Sequence, residues 1–571
     1  MKALLTDNMP LLSGAPNGIK KLRELILELA MRGKLVPQDP SDEPARELLK
    51  RVAEEKARLE ADGKIKKQKT LAAIAEDDHH FELPSSWEWA STAALTLLIT
   101  DGTHHTPTYI NSGIPFISVK DIDGATIIFD NCKYISQEEH VAINSRCNPE
   151  HGDILLCRIG TLGRPTIVDT KVPFSLFVSV GLLKLPKETE ISRYFHCALS
   201  SPLMYRQYDQ IKAGGSHTNK LNLGDIPRLL VPVPPLAEQH RIVAKVDELM
   251  ALCDILETRQ AGAESAHAEM IQALLDGLIQ ASDTADFDTN WQRLAKHFHT
   301  LFTTEPSIDA LKQTLLQLAV MGKLVPQNPS DEPASELLKR IAEEKARLVA
   351  GGRIKKQKSV TEIGDEEKPF QLPAGWEWVR LDSLLKKLGA GSTPLGGKQS
   401  YISAGIKFLR SQNVWNEGLR LDDVALIPES THQKMSGTHV EAGDLLFNIT
   451  GASIGRCALI PDDFDTGNVS QHVTIVRPVA SELRYFLHVI LTSRLVQKTV
   501  MDVQVGVSRE GLSIGKLSMF VIPCPPEAEQ HRIVAKVDQL MALCHQLKTR
   551  LTQARQLNEQ LASTVVEQTV T

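Results

Sequence analysis

Residues that could do chemistry in this chain are of two kinds, and the catalytic kind is incomplete. No G-x-x-x-x-G-K-[ST] loop is present to cradle nucleotide phosphates, so ATP hydrolysis by this chain is not expected. Gly160-Thr-Leu-Gly163-Arg164 and Gly451-Ala-Ser-Ile-Gly455-Arg456 are glycine-spaced, yet neither matches a dinucleotide fingerprint. Asn148-Pro149-Glu150 falls short of the Asn-Pro-Pro-aromatic loop of adenine methyltransferases. Asp42 with Glu54-Glu55-Lys56 imitates an acidic nuclease triad, but these residues belong to a charged amphipathic helix, whose ordinary role is a solvated face. His79-His80 and His104-His105 have no cysteine or carboxylate at the usual ligand spacing. The expectation is a chain without a catalytic centre, a metal site or a cofactor of its own.

The second kind would bind. Asp101-Gly-Thr103-His104-His105-Thr106-Pro107 offers backbone amides and small donors in a loop held by proline, a chemistry suited to a nucleic-acid backbone. Gly391-Ser392-Thr393-Pro394 and Gly396-Gly397-Lys398 would play the same part further on. Gly214-Gly-Ser216-His217-Thr218-Asn219-Lys220 is another such loop, matched loosely by Val505-Gly-Val-Ser508-Arg509-Glu510. Arg158, Arg410 and Arg509 have the fork that addresses guanine, and Asn219, Gln412 or Asn413 the amide that addresses adenine. Thr161, Arg164, Asn448, Thr450 and Arg456 complete the candidates. Taken alone, each loop reads as an ordinary surface turn. Their recurrence at equivalent places is what raises them above that.

The recurrence is the dominant feature of the sequence. Residues 29–69 return as 318–358 at an offset of 289, with 33 of 41 positions identical. The block PPLAEQHRIVAKVDELMALC at 234–253 returns as PPEAEQHRIVAKVDQLMALC at 525–544, and FELPSSWEW at 81–89 as FQLPAGWEW at 370–378. Between them, 90–233 and 379–524 share only thin motifs. With two copies and so long a period this is not a solenoid. Two near-identical frames holding two different inserts suggest one scaffold presenting two reading surfaces.

The frames read as helical. Ile242, Val246, Leu249, Cys253 and Leu256 follow steps of four and three, an a/d seam continued by Ala263, Met270 and Leu274 around polar Gln260 and His267. The copy has Ile533, Val537, Leu540, Cys544, Leu547, Leu551, Ala554 and Leu561, with Asn558 as its polar seam residue. Two such helices could pair antiparallel as a long spacer, or each could pack on its own domain. Ser41 or Asp42 can cap a helix with Pro44 in its first turn, running to about Leu59 and stopping near Gly63. The basic runs 64–69 and 353–358 follow, as solvated faces or as phosphate or partner contacts. In the inserts, 174–184 and 471–477 read as buried strands, and 191–199 and 481–492 as short helices.

At 571 residues the chain should hold several domains, with 42% hydrophobic and 23% charged residues, as in ordinary globular proteins. No apolar run is long enough to span a membrane, and no secretory leader is read at the start. Eight scattered cysteines without a Cys-x-x-Cys pair point to the reducing cytosol. A net charge of −6 argues against nucleic-acid binding through bulk charge alone.

The ordered set of DGTHHTP (101–107), GDILLCRIGTLGR (152–164) with GDLLFNITGASIGR (443–456), PPLAEQHRIV (234–243) with PPEAEQHRIV (525–534), and the doubled GKLVPQ and WEW blocks resembles the specificity subunits of type I restriction–modification systems. The resemblance spans essentially the whole chain. It implies an α+β fold: two mixed α/β target-recognition domains separated by long antiparallel coiled-coil helices, as a pseudo-twofold repeat. The implied boundaries are a helical region 1–89, recognition domain 90–233, central helical region 234–378, recognition domain 379–524 and spacer helix 525–571. Each recognition domain would read one half of a split, asymmetric duplex, and Ile242, Val246, Leu249, Leu256, Ile533, Val537, Leu540 and Leu547 would form the spacer seam. It further implies two adenine-methyltransferase subunits using S-adenosylmethionine, restriction–translocase subunits using ATP and Mg2+, and a prokaryotic cytoplasm. The rival is a two-headed coiled-coil adaptor whose inserts bind protein.

Overall fold

A computed structural model describes residues 14–65, 74–215, 218–354, 361–505 and 511–570. The chain divides into two compact units, residues 1–263 with 554–571, and residues 264–553. The basic runs at 66–69 and 355–358 lie outside the described residues.

In the first unit the helix Gly18–Met31 turns Leu22, Leu25, Ile26 and Leu29 to one buried face. Helix Ala45–Ala61 follows. Its cap differs from the expectation: Pro44 itself holds the extended N-cap position without a side-chain bond, and Asp42 is engaged elsewhere. Gly63 at φ +69° ends the turn, where Lys64 N–H reaches the Leu59 carbonyl 2.9 Å away. In the second unit Glu305–Val320 and Ala334–Ala350 are the counterparts, and the additional helix Thr284–Lys296 stacks Phe287 on Trp291.

One buried carboxylate ties the repeated motifs together in each unit. Glu238 accepts from the Trp87 indole at 3.0 Å and the Gln38 amide at 2.7 Å, joining PPxxEQ to WEW and KLVPQ. Glu529 does the same with Trp376 at 3.0 Å and Gln327 at 2.7 Å. Three residues on, Arg241 pairs with Asp42 and Arg532 with Asp331, each at 2.6 Å, which ties in the PSDEP block. Burial holds both glutamic acids above the usual carboxylate range, against the pull of these donors. The sequence identity of the two frames is therefore a hydrogen-bonding requirement.

Each insert enters and leaves through a two-stranded antiparallel ribbon. Strand β1 (Glu88–Ser91) pairs with β11 (Leu230–Val233), setting Trp89 opposite Pro232; β12 (Glu377–Arg380) pairs with β23 (Val521–Cys524), setting Trp378 opposite Pro523. Inside the first insert, β2 (Leu98–Asp101), β8 (Val180–Lys184), β5 (Ile154–Cys157) and β6 (Gly163–Ile167) form one antiparallel sheet in that order. The second insert repeats it with β13 (Leu385–Ala390), β22 (Val473–Pro478), β19 (Leu445–Asn448) and β20 (Cys457–Leu459).

A second sheet also recurs. It is β4 (Lys133–Ile135), β3 (Ile114–Ile117) and β7 (Ser175–Leu176) in one insert. In the other it is β17 (Ala425–Ile427), β14 (Ile406–Leu409), β21 (Gly467–Val469) and β18 (His439–Val440). Both have one parallel pair, β3 with β7 and β14 with β21. The segment 174–184, read as one strand, is two: the chain leaves β7 at Phe177 and re-enters as β8 at Val180. Helices Ser192–Leu199 and Leu483–Thr492 bury Phe195 and Phe486 against their sheets.

The long helices are Leu236–Gln280, 45 residues, and Glu527–Val570, 44 residues. Their seams are used first within their own units. Ile242, Val246, Leu249, Cys253 and Leu256 share a core with Ile19, Leu22 and Ile26. Ile533 and Val537 enter the second unit's main core, while Leu540, Cys544, Leu547 and Leu551 cluster with Ile308, Leu311, Leu315 and also Ile271 and Leu275 of the first long helix. Residues 257–266 are exposed throughout, Ala263 included. Beyond them Met270 is 48% exposed and the buried stripe resumes one residue later, at Ile271, Leu275 and Leu278. The second helix makes the same step, Leu561 exposed and Ala562 buried. A straight helix drifts about 20° per heptad, so after four heptads the strict seam position has turned about 80° away and the next residue faces inward.

Candidate nucleic-acid interface

In the first insert the loop residues gather around Asp101, which is 1% exposed at the end of β2. His104 Nε2 lies 3.1 Å from its carboxylate, and Arg146 and Arg158 both ion-pair with it. Thr103 is buried, its Oγ1 2.7 Å from His105 Nδ1, so His104 and His105 project from a fixed base with Thr106 exposed beside them. The loop lies so close to β7 that a Cβ on Gly102 would come within 2.0 Å of the Leu176 carbonyl. A Cβ on Gly391 in the second insert would come equally close to the Val469 carbonyl, which makes 101–107 and 390–394 one structural device.

Arg158 is buried and engaged, with no free fork turned to the surface. It is 3% exposed, Nη1 is spent on Asp101 and, at 3.0 Å, the Val178 carbonyl, and Nε donates to Leu221 at 3.2 Å. Its place in the sequence suggested a free fork; its partner Asp101, distant in the chain, consumes it. Asn219 and Lys220 are exposed on strand Thr218–Lys220, and the Asn219 carbonyl receives Gly160 N–H at 2.9 Å, bringing them beside exposed Thr161. Arg164 is exposed at φ +47°, its N–H 3.4 Å from the Tyr205 hydroxyl. Ser216, His217, Ser508 and Arg509 lie outside the described residues, as does the Thr218 side chain.

In the second insert, Ser392 and Thr393 are exposed, as is Lys398 on the turn that follows. Thr450 Oγ1 lies 2.6 Å from His472 Nδ1. Asn413 and Asn448 are buried and engaged in the same way as Arg158. Asn413, 2% exposed, accepts from Arg410 N–H at 3.0 Å and donates to the Arg420 carbonyl at 2.9 Å, capping its own loop. Asn448, fully buried, donates to the Ser411 carbonyl at 2.9 Å and thereby ties loop 411–420 to β19. Arg410 spends Nη2 on the Asp423 carbonyl at 2.7 Å, and Gln412 bonds the Asp423 side chain; only Gln412 of the two is exposed.

Sequence reading missed Trp415 and Arg420. Arg420 and Arg456 place their guanidinium carbons 3.5 and 3.7 Å from the centroid of the Trp415 ring. The Gly-Asp pairs, by contrast, are structural. Gly152 and Gly443 take φ of +90° and +80°, while Asp153 accepts Glu150 N–H at 2.8 Å and Asp444 accepts Glu441 N–H at 2.7 Å. The eight cysteines are free and buried, and burial pushes Cys157 to about 11 and Cys147 to about 12. Among the described residues no helix is long and apolar enough to cross a membrane.

The family described as "Type I restriction modification DNA specificity domain" matches residues 105–265 and 373–554, more than half of the chain. The specificity subunit of the type I restriction enzyme EcoAI from Escherichia coli is 37% identical over 96% of this chain and 93% of its own length. That of EcoEI, also from Escherichia coli, is 35% identical over the same shares. A weaker likeness, with a TM-score of 0.47 and 16% identity, links 86% of this chain to 99% of a solved chain of a type I restriction–modification system. The chain belongs to the type I restriction–modification specificity subunits. Its role is DNA recognition and not catalysis.

Proposed function

We propose that 90–233 and 379–524 are two target-recognition domains, each reading one half of a bipartite, asymmetric duplex target. The observation that carries this is the pair of inserts with one strand order, one glycine-pinned loop and different loop side chains. His104, His105, Thr106, Thr161, Arg164, Asn219 and Lys220 face DNA in the first domain. Ser392, Thr393, Lys398, Gln412, Thr450 and Arg456 do so in the second.

The long helices set the unread gap, and the repeated frames dock two methyltransferase subunits. Those partners supply adenine methylation with S-adenosylmethionine. Restriction–translocase subunits supply ATP- and Mg2+-dependent cleavage, in the prokaryotic cytoplasm. A net charge of −6 suits a chain whose grip on DNA is shared with partners. The test is duplex binding by the full chain assembled with its modification subunit. Binding to one split sequence far above other duplexes is expected, and equal affinity for all duplexes would overturn the reading.

A further inference from the structure

The two recognition domains share one hairpin backbone and differ in the side chains it carries. In the first, Ser118 N–H bonds the Asp121 carboxylate at 2.8 Å, Ile122 bridges Ile127, and Ile128 N–H returns to the Asp121 carbonyl at 2.8 Å. In the second, Arg410 N–H bonds the Asn413 side chain at 3.0 Å, Val414 pairs with Leu419, and Arg420 N–H returns to the Asn413 carbonyl at 2.9 Å. One hairpin is thus built twice, and the match puts Asp123 where the second domain has Trp415, and Ile128 where it has Arg420. Helix histidines pin both hairpins to their sheets. His196 Nε2 lies 3.2 Å from the Gly124 carbonyl and 2.9 Å from that of Pro165; His488 Nε2 lies 3.0 Å from the Cys457 carbonyl, and the same ring bonds the Asn416 backbone of the hairpin.

The side chains on the second hairpin form a fixed stack. Two guanidinium carbons at 3.5 and 3.7 Å from one ring centroid cannot share a face without overlapping, so Arg420 and Arg456 cover opposite faces of Trp415. The indole is itself fixed, donating to the Gln412 carbonyl at 2.8 Å. With both faces covered, Trp415 has none left to stack on a base. It is a positioning residue. Neither guanidinium has a hydrogen bond or ion pair among the described residues, so their donor edges are unspent while their planes are held. Arg158, Arg410 and Arg477, by comparison, are each occupied by an acid or a carbonyl.

We propose that Arg420, held against Trp415 with Arg456 on the far face, reads a guanine edge in the half-site of the second domain. A planar fork fixed in orientation is what bidentate contact to guanine O6 and N7 needs. The position is one where the two domains share a backbone and differ in side chain, as a specificity determinant must. Arg456 has a sequence counterpart in Arg164; Arg420 and Trp415 have none. The proposal rests on the DNA-reading function above.

The test is the methylated motif made in cells by the full chain with its methyltransferase, wild type against R420A, R420K, W415A and W415F. R420A should relax one position of one half-site, with discrimination there falling roughly tenfold to a hundredfold, the worth of one bidentate contact. The other half-site and the gap should be unchanged, which also reports that the variant folds. W415A should reproduce R420A, W415F should largely retain the wild-type motif, and R420K should not rescue. An unchanged motif in R420A, full rescue by R420K, or uniform loss of methylation at an unaltered motif would each overturn the proposal, the last two by making Arg420 a point-charge contact to phosphate. A wild-type chain that directs no split motif would instead overturn the function on which it rests.

Discussion

Glu238 and Glu529 show at the residue scale why this sequence repeats where it does. Each is the common acceptor for an indole and an amide drawn from two other repeated blocks. Removing one donor leaves a buried carboxylate half satisfied, so Trp87→Phe is expected to destabilise the first unit by about 1–3 kcal/mol, measured by thermal or urea unfolding. No change would mean the indole bond is incidental. The raised pKa of Glu238 also has a sign. A group that binds its proton more tightly when folded contributes stability that is present below its unfolded pKa and lost as pH rises through its folded pKa. The difference in stability between wild type and E238Q should therefore favour wild type more at about pH 4 than at pH 7; a larger advantage at pH 7 would contradict that assignment. Gly102 belongs to this scale too. G102A puts a methyl group against the Leu176 carbonyl and should cost DNA discrimination in one half-site, because the loop of His104 and His105 must lift; discrimination left as it was would detach that loop from reading.

At the scale of elements, what was legible in the sequence was what has period or repetition. The seam Ile242–Leu256 is readable because four and three alternate; Ile242, Val246 and Cys253 are buried and Leu249 and Leu256 partly so, against Ile19, Leu22 and Ile26. Its continuation through Ala263 and Met270 was misread because a seven-residue pattern was extended along a helix that keeps its own 3.6 period. Strand 174–184 was read whole because its apolar run hides the break at Phe177–Ser179, which no glycine or proline marks. Arg158 and Asn448 are of types suited to DNA contact; what engages them is Asp101 in one case and the Ser411 carbonyl in the other, neither adjacent in sequence. Trp415 was passed over because a single aromatic in a polar stretch carries no pattern, and only the second arginine five residues on could have drawn attention to it. The exposed helical stretch 257–266 is where the spacer reading can be tested. One heptad inserted after Leu256 and after Leu547 adds about 10 Å of helix, and the unread gap should lengthen by about three base pairs at 3.4 Å each. A gap of the same length would show that the helices are not the ruler.

For the whole molecule, the account is one of division of labour. The frame is built twice from the same hydrogen bonds, the inserts are built twice from the same strand order, and the loops between strands are where the copies part. Replacing residues 90–233 with the corresponding domain of another member of the family should change one half of the target and leave the other and the gap alone, as read from the methylated motif. A change in both halves would refute modular reading. The most direct test of the central claim is adenine-methylation mapping of genomic DNA from cells carrying this chain with its neighbouring methyltransferase, against cells from which the chain alone is deleted. Methylation at one split, asymmetric motif that vanishes on deletion is the result predicted here; methylation that persists without the chain, or never occurs with it, would contradict a specificity subunit.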